Sequence, residues 1–196
     1  MNRLIVPLIA MAFSTPVYAQ SSLSGDGSPW SGSYFGFQYG IPTDSTITSD
    51  VAPASRAEMN GNLGGAQIGF RRQNGSLVYG AEIAFLVGEQ VIEETGQPDV
   101  DVRVTTTRFG GQAGYAFGRV LPYGTAGIGR MTFQDTTGFG DTASFGTYAG
   151  FGLQYQLAED TSVGLEAVRH NYSDFDRGNS VNVTQTNMSF RLNFHF

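Results

Sequence analysis

The stretch Asn187-Met188-Ser189-Phe190-Arg191-Leu192-Asn193-Phe194-His195-Phe196 alternates polar and apolar side chains without a break. Met188, Phe190, Leu192, Phe194 and Phe196 share one face, and Asn187, Ser189, Arg191, Asn193 and His195 share the other. A period of two belongs to a strand whose faces meet unlike surroundings. A sheet in water rarely lines up such large apolar groups at an exposed chain end, whereas a strand between lipid and a polar lumen requires them.

The same alternation recurs upstream. A first strand sets Phe35, Phe37, Tyr39 and Ile41 against Tyr34, Gly36, Gln38 and Gly40; a second sets Ala66, Ile68 and Phe70 against Gln67, Gly69 and Arg71. A third, from Leu77 to Val87, turns Glu82 inward, and a fourth sets Phe109, Tyr115 and Phe117 against Arg108 and Gln112. The fifth spans residues 121–133 with Arg130 assigned inward. The sixth sets Phe145, Phe151, Leu153 and Tyr155 against Tyr148, Gln154 and Gln156, and the seventh, residues 161–172, turns Glu166 inward. Short turns at Asn74-Gly75, Gly118-Arg119 and Ala158-Glu159-Asp160 alternate with long connections at residues 42–60, 88–101, 134–142 and 173–180. Asn-Gly between alternating strands is a strong hairpin signal. These features predict an all-β fold: an eight-stranded antiparallel up-and-down transmembrane β-barrel with short periplasmic turns and long outer loops.

Residues 1–19 carry a basic start, an apolar centre and small residues at Val17 and Ala19, the pattern of an export signal peptide cleaved before Gln20. This leaves 196 − 19 = 177 residues, enough for one domain: a Ser/Gly-rich periplasmic lead at 20–29 and a barrel at 30–196. Glycine is 27 of 196 residues, against a usual share of about 7%, and suits strands that face a crowded lumen. Cysteine is absent, which excludes a disulfide framework and thiolate chemistry. All 11 basic residues are Arg and the net charge is −6, so the basic stripe that nucleic acid demands is missing.

The segments Trp30-Ser31-Gly32-Ser33-Tyr34-Phe35-Gly36, Gly118-Arg119-Val120-Leu121-Pro122-Tyr123-Gly124-Thr125-Ala126-Gly127, Val163-Gly164-Leu165-Glu166 with Tyr172-Ser173-Asp174-Phe175, and the terminal Phe196 carry a family resemblance. The chain resembles the eight-stranded outer-membrane barrels: the OmpA membrane domain, OmpX-type barrels and the small porin-family surface antigens of alphaproteobacteria. The resemblance implies the bacterial outer membrane as location and a structural or surface-interacting role. A narrow channel for small solutes is the alternative, and a lipid-modifying enzyme a more distant one. It implies that Phe190, Leu192, Phe194 and Phe196 signal to the barrel assembly machinery. Outer-membrane lipid and lipopolysaccharide are the expected partners of a monomer, beside an extracellular ligand that the residues do not identify. No periplasmic peptidoglycan-binding domain is expected to follow. The insertion Ala167-Val168-Arg169-His170-Asn171 departs from the family pattern and leaves the facing of Arg169 open.

No catalytic, cofactor or metal site is expected. His170 and Ser173 have opposite parity, whereas a His–Ser pair serving a lipid deacylase would share a face. His195 has no acid or hydroxyl neighbour in sequence, and two His without Cys make a poor metal site. The long connections hold twelve acids (Asp44, Asp50, Glu58, Glu89, Glu93, Glu94, Asp99, Asp101, Asp135, Asp141, Asp174, Asp176) against Arg56 and Arg177, or 12 − 2 = 10 net negative charges. They are read as solvated loops, with divalent cations shared with lipopolysaccharide, or a basic ligand, as the sharper alternatives. The inward parity predicts a lumen charge network of Arg71, Glu82, Arg108, Arg130, Glu166 and Arg191, completed by Gln67, Gln112, Gln154 and Asn193 and plugging the barrel. The two excess Arg are expected to rest on water or backbone carbonyls.

Overall fold

The structure, a computed structural model, describes residues 29–49, 56–94, 99–135, 142–173 and 181–196. The expected signal peptide and most of the lead, residues 20–28, lie outside the described residues, as do the tips of the four long connections. Nine strand segments follow in order: β1 (Gly32–Ser49), β2 (Arg56–Gly61), β3 (Leu63–Asn74), β4 (Leu77–Glu94), β5 (Val100–Tyr115), β6 (Val120–Asp135), β7 (Thr142–Ala158), β8 (Thr161–Tyr172) and β9 (Val181–His195). β2 and β3 are two halves of one barrel strand interrupted at Asn62, since both lie between β1 and β4. Each strand pairs antiparallel with its sequence neighbour, and β9 returns to pair with β1, so the eight barrel strands close.

Closure comes with a large offset. Cα partners followed from Gly36 run through Gln67, Ala84, Arg108, Gly129, Gly146, Tyr172 and Val183 and return to β1 at Ile47. The return is 47 − 36 = 11 residues further along, one of them taken up by the irregularity between Pro42 and Asp44. Eight strands inclined by such a stagger enclose an interior just wide enough for side chains.

Two expected boundaries are corrected. Residues 42–60 and 88–101 are not loops throughout, because β1 continues to Ser49, β2 begins at Arg56, β4 continues to Glu94 and β5 begins at Val100. The polar outer faces there hide inward apolar residues such as Ile47, Met59, Ile92 and Val102, which hold the ladder together beyond the membrane band. β9 likewise starts six residues before Asn187. The short turns form as expected, with Gly75 and Gly118 at positive φ (59° and 61°), the conformation glycine adopts without strain.

The outer face carries the apolar band: Phe37, Phe70, Phe85, Phe109, Phe151 and Phe190 are all more than half exposed to what in the membrane is lipid. Inside, large and small residues alternate between neighbouring strands. Tyr34 lies over its cross-strand partner Gly69, and Tyr123 over its partner Gly152, each ring occupying the place of a Cβ. Gly69→Val should therefore expel Tyr34 from the lumen. We expect a stability loss of about 1–3 kcal/mol, measured as a lower urea midpoint for refolded protein in lipid; an unchanged midpoint would show that the ring has room to move.

Candidate functional site

The functional question for a barrel is what its lumen holds, and three layers of side chains lie in it here. The middle layer is charged. β9 points Arg191 between Glu82 of β4 and Glu166 of β8, and the guanidinium bonds both carboxylates. Arg108 of β5 reaches Glu166 at 3.2 Å and Gln38 Oε1 at 3.2 Å. Tyr34 donates its hydroxyl hydrogen to Glu82 at 2.6 Å, and Tyr123 donates to Glu166 at 2.7 Å. Gln67 donates to Asn193 Oδ1 at 2.8 Å.

Arg71 is different, because no carboxylate among the described residues pairs with it. Its Nε and Nη2 donate to Gln112 Oε1 at 3.0 and 2.6 Å, and its Nη1 donates to Gln154 Oε1 at 2.7 Å. The guanidinium also lies 4.6 Å from the Tyr34 ring centroid and 5.4 Å from that of Tyr123. Amide oxygens and aromatic faces thus hold the cation that water or backbone carbonyls were expected to satisfy.

The layer at the short-turn end is apolar. Trp30, two residues ahead of β1, lies across the mouth, fully buried against Val78, Ala116, Leu121 and Tyr123. Its indole N–H donates to the Gly118 carbonyl at 3.0 Å, and its backbone N–H donates to Gln73 Oε1 at 3.2 Å. The layer at the long-connection end is largely apolar as well, built from Met59, Leu63, Leu86, Val102, Val104, Met131, Tyr172 and Val183, with one buried polar pair in it, Gln185 donating to Gln90 Oε1 at 3.3 Å. His170 lies between this layer and the charges, its ring 5.8 Å from those of Tyr148 and Tyr172.

Of the six residues predicted for the network, Arg71, Glu82, Arg108, Glu166 and Arg191 lie in the lumen, each at most 6% exposed. Arg130 does not. It faces outward, over the ring of Phe145 at 5.9 Å, while Leu121, Tyr123, Thr125 and Met131 of the same strand face inward. Both faces of β6 mix small and apolar residues, so alternation within the strand carries little signal. The preceding turn carries more: Phe117 pairs with Val120 across Gly118-Arg119, and the same register pairs Thr107 with Arg130 on the outer side. That route also places Tyr123 inward.

Arg169 also faces outward, 3.9 Å from Asp44, and β8 keeps its register from Ser162 to Tyr172. His195, which has no partner near it in sequence, shares a 2.8 Å hydrogen bond with Ser162 of the adjacent strand.

Comparison with known proteins fits this geometry. The sequence matches the outer membrane protein beta-barrel domain over residues 5–196. The chain belongs to that outer-membrane β-barrel family. Such barrels reside in the bacterial outer membrane, and so does this one. Among solved structures, it is similar to the outer membrane protein OprG from Pseudomonas aeruginosa, with 18% identity, 85% of this chain and 97% of that chain covered, and a TM-score of 0.56. It is also similar to Neisserial surface protein A, with 14% identity, coverage of 85% and 98%, and a TM-score of 0.53. At these identities the likeness is one of fold. A search of curated proteins found no match.

The network makes a quantitative prediction. Removing one partner from a buried pair leaves a charge without compensation and typically costs about 3–5 kcal/mol, whereas an exposed pair contributes about 0–1 kcal/mol. Glu82→Ala should lower the unfolding free energy in lipid by the larger amount, and Glu89→Ala, which removes a 3.5 Å exposed contact with Arg103, by the smaller. Equal urea midpoints for the two variants would contradict the network.

Proposed function

We propose that this protein is a closed, non-conducting barrel that acts as a structural and surface-presenting component of the outer membrane. The observation that carries this reading is the order of the lumen layers: charged side chains in mutual contact, covered by Trp30 at one end and by the Met59–Leu63–Met131 cluster at the other. Ions crossing such a lumen would have to part buried ion pairs and pass two apolar seals. Purified protein in planar bilayers should therefore give no steady conductance. Sustained, porin-sized channels from folded protein would overturn the proposal and favour a channel. Arg71 is the residue that favours this second reading, because a cation held only by neutral groups could serve a passing anion.

The same arrangement argues against an enzyme. His170 is buried among lumen tyrosines, whereas Ser173 is exposed beyond the end of β8 and its carbonyl accepts a hydrogen bond from Ser144. The protein acts as a monomer in this reading, with lipid on all sides of its outer face.

Phe190, Leu192, Phe194 and Phe196 act, in this proposal, as the signal read by the barrel assembly machinery. Phe190, Phe194 and Phe196 are exposed, and the Phe196 backbone closes the ladder by exchanging two hydrogen bonds with Ser33, at 2.9 and 3.1 Å. Deleting Phe196 removes both the ring and that closure. Phe196→Ala keeps the backbone bonds and loses little packing, since the ring is 71% exposed. We expect Phe196→Ala to lower the amount of heat-modifiable protein in cells while refolding in detergent stays unchanged. Normal cellular yield would remove Phe196 from the signal.

A further inference from the structure

The middle layer of the lumen carries one positive charge too many and too few acceptors. Among the described residues Arg71, Arg108 and Arg191 face only Glu82 and Glu166 there, which leaves 3 − 2 = 1 cation without a carboxylate, and all five side chains are buried. Gln112 and Gln154 turn their amide oxygens to Arg71. These dipoles solvate the guanidinium but leave its charge uncompensated. They also fix how each amide is oriented, since only its oxygen can face an arginine donor.

Each amide nitrogen must then find a partner elsewhere, and among the described residues neither Gln112 Nε2 nor Gln154 Nε2 has one. The same holds in this layer for Gln38 Nε2, Arg108 Nε, Arg191 Nε and Asn193 Nδ2, so six buried donors stand against one buried acceptor without a partner, Gln67 Oε1. A water molecule answers such a layer badly, because it brings hydrogens of its own that need acceptors. A small anion answers it on both counts: it accepts from several donors, donates to none and cancels the excess charge.

We propose that the lumen holds a resident monovalent anion of halide size beside Arg71, hydrogen-bonded by the Nε2 groups of Gln112 and Gln154. The two glutamines act as relays, with oxygen toward the guanidinium and nitrogen toward the anion. An interior just wide enough for side chains selects a monatomic ion over a polyatomic one. The site rests on the closed-barrel reading and deepens it: the ion is a structural part of the fold, taken up as the strands close.

The test is urea unfolding of protein refolded in lipid, across a chloride series held at constant ionic strength with gluconate. An ion held only by the folded barrel makes the folded-to-unfolded ratio rise about tenfold for each tenfold rise in chloride above its dissociation constant. Gln112→Glu puts a carboxylate on Arg71, so this variant should fold and lose the chloride dependence. Arg71→Gln should lose it too, in protein shown to be folded by heat-modifiability. Arg72→Gln removes the neighbouring, outward arginine and should keep the wild-type slope. Crystals grown in bromide should show an anomalous peak in the lumen within hydrogen-bond distance of Gln112 or Gln154, and none there in Gln112→Glu. A flat chloride series for wild type, an equal slope in Gln112→Glu, or a lumen without bromide would each overturn the proposal. Steady conductance in planar bilayers with the slope retained would sink the closed barrel and uphold the anion site, whereas a flat series without conductance would sink the site alone.

Discussion

In hydrocarbon no water is present to satisfy a backbone N–H or C=O, and each one left unpaired costs several kcal/mol. Everything else in this protein depends on meeting that constraint. The β1–β9 ladder does so, running from Ser49 opposite Val181 down to Tyr34 opposite His195, with Phe196 and Ser33 completing it. Once eight strands close with this stagger the interior is narrow, and its filling follows. Glycines on one strand make room for tyrosines on the next, and the tyrosine hydroxyls then reach the carboxylates that the arginines need.

The lumen is a problem in burying charge. Arg71, Arg108 and Arg191 face Glu82 and Glu166, so one cation is in excess. The excess does not fall at the centre, where Arg191 takes both carboxylates, but on Arg71, which two glutamine oxygens and two tyrosine faces accommodate. Largely apolar layers lie above and below, and in a low dielectric each of these contacts strengthens while the cost of an unpaired charge rises. The strand extensions beyond the membrane band supply the upper layer: they are not passive spacers, since their inner faces carry Ile47, Met59, Val102 and Val183.

Strand number, antiparallel order and the inward placement of Arg71, Glu82, Arg108, Glu166 and Arg191 were legible from alternation alone, because lipid on one side and a lumen on the other impose a period of two. The extent of the strands was less legible, since above the membrane the outer face turns polar and alternation no longer separates a solvated strand from a loop. Trp30 was illegible in its role, as a tryptophan beside Ser-Gly-Ser gives no hint that the chain bends back over the mouth. Arg130 was misplaced because β6 carries small residues on both faces; the turn at Gly118-Arg119 held the better clue.

By itself, then, the sequence determined that this chain makes a membrane barrel and, for most strands, which side of the wall each residue occupies, because both follow from local periodicity. Only the tertiary structure decided which charges meet. Glu82 and Arg191 stand 109 residues apart and Glu166 and Arg191 25 apart, and their contact depends on the stagger at which the barrel closes. That stagger is a property of the whole ring of strands, and no single strand encodes it.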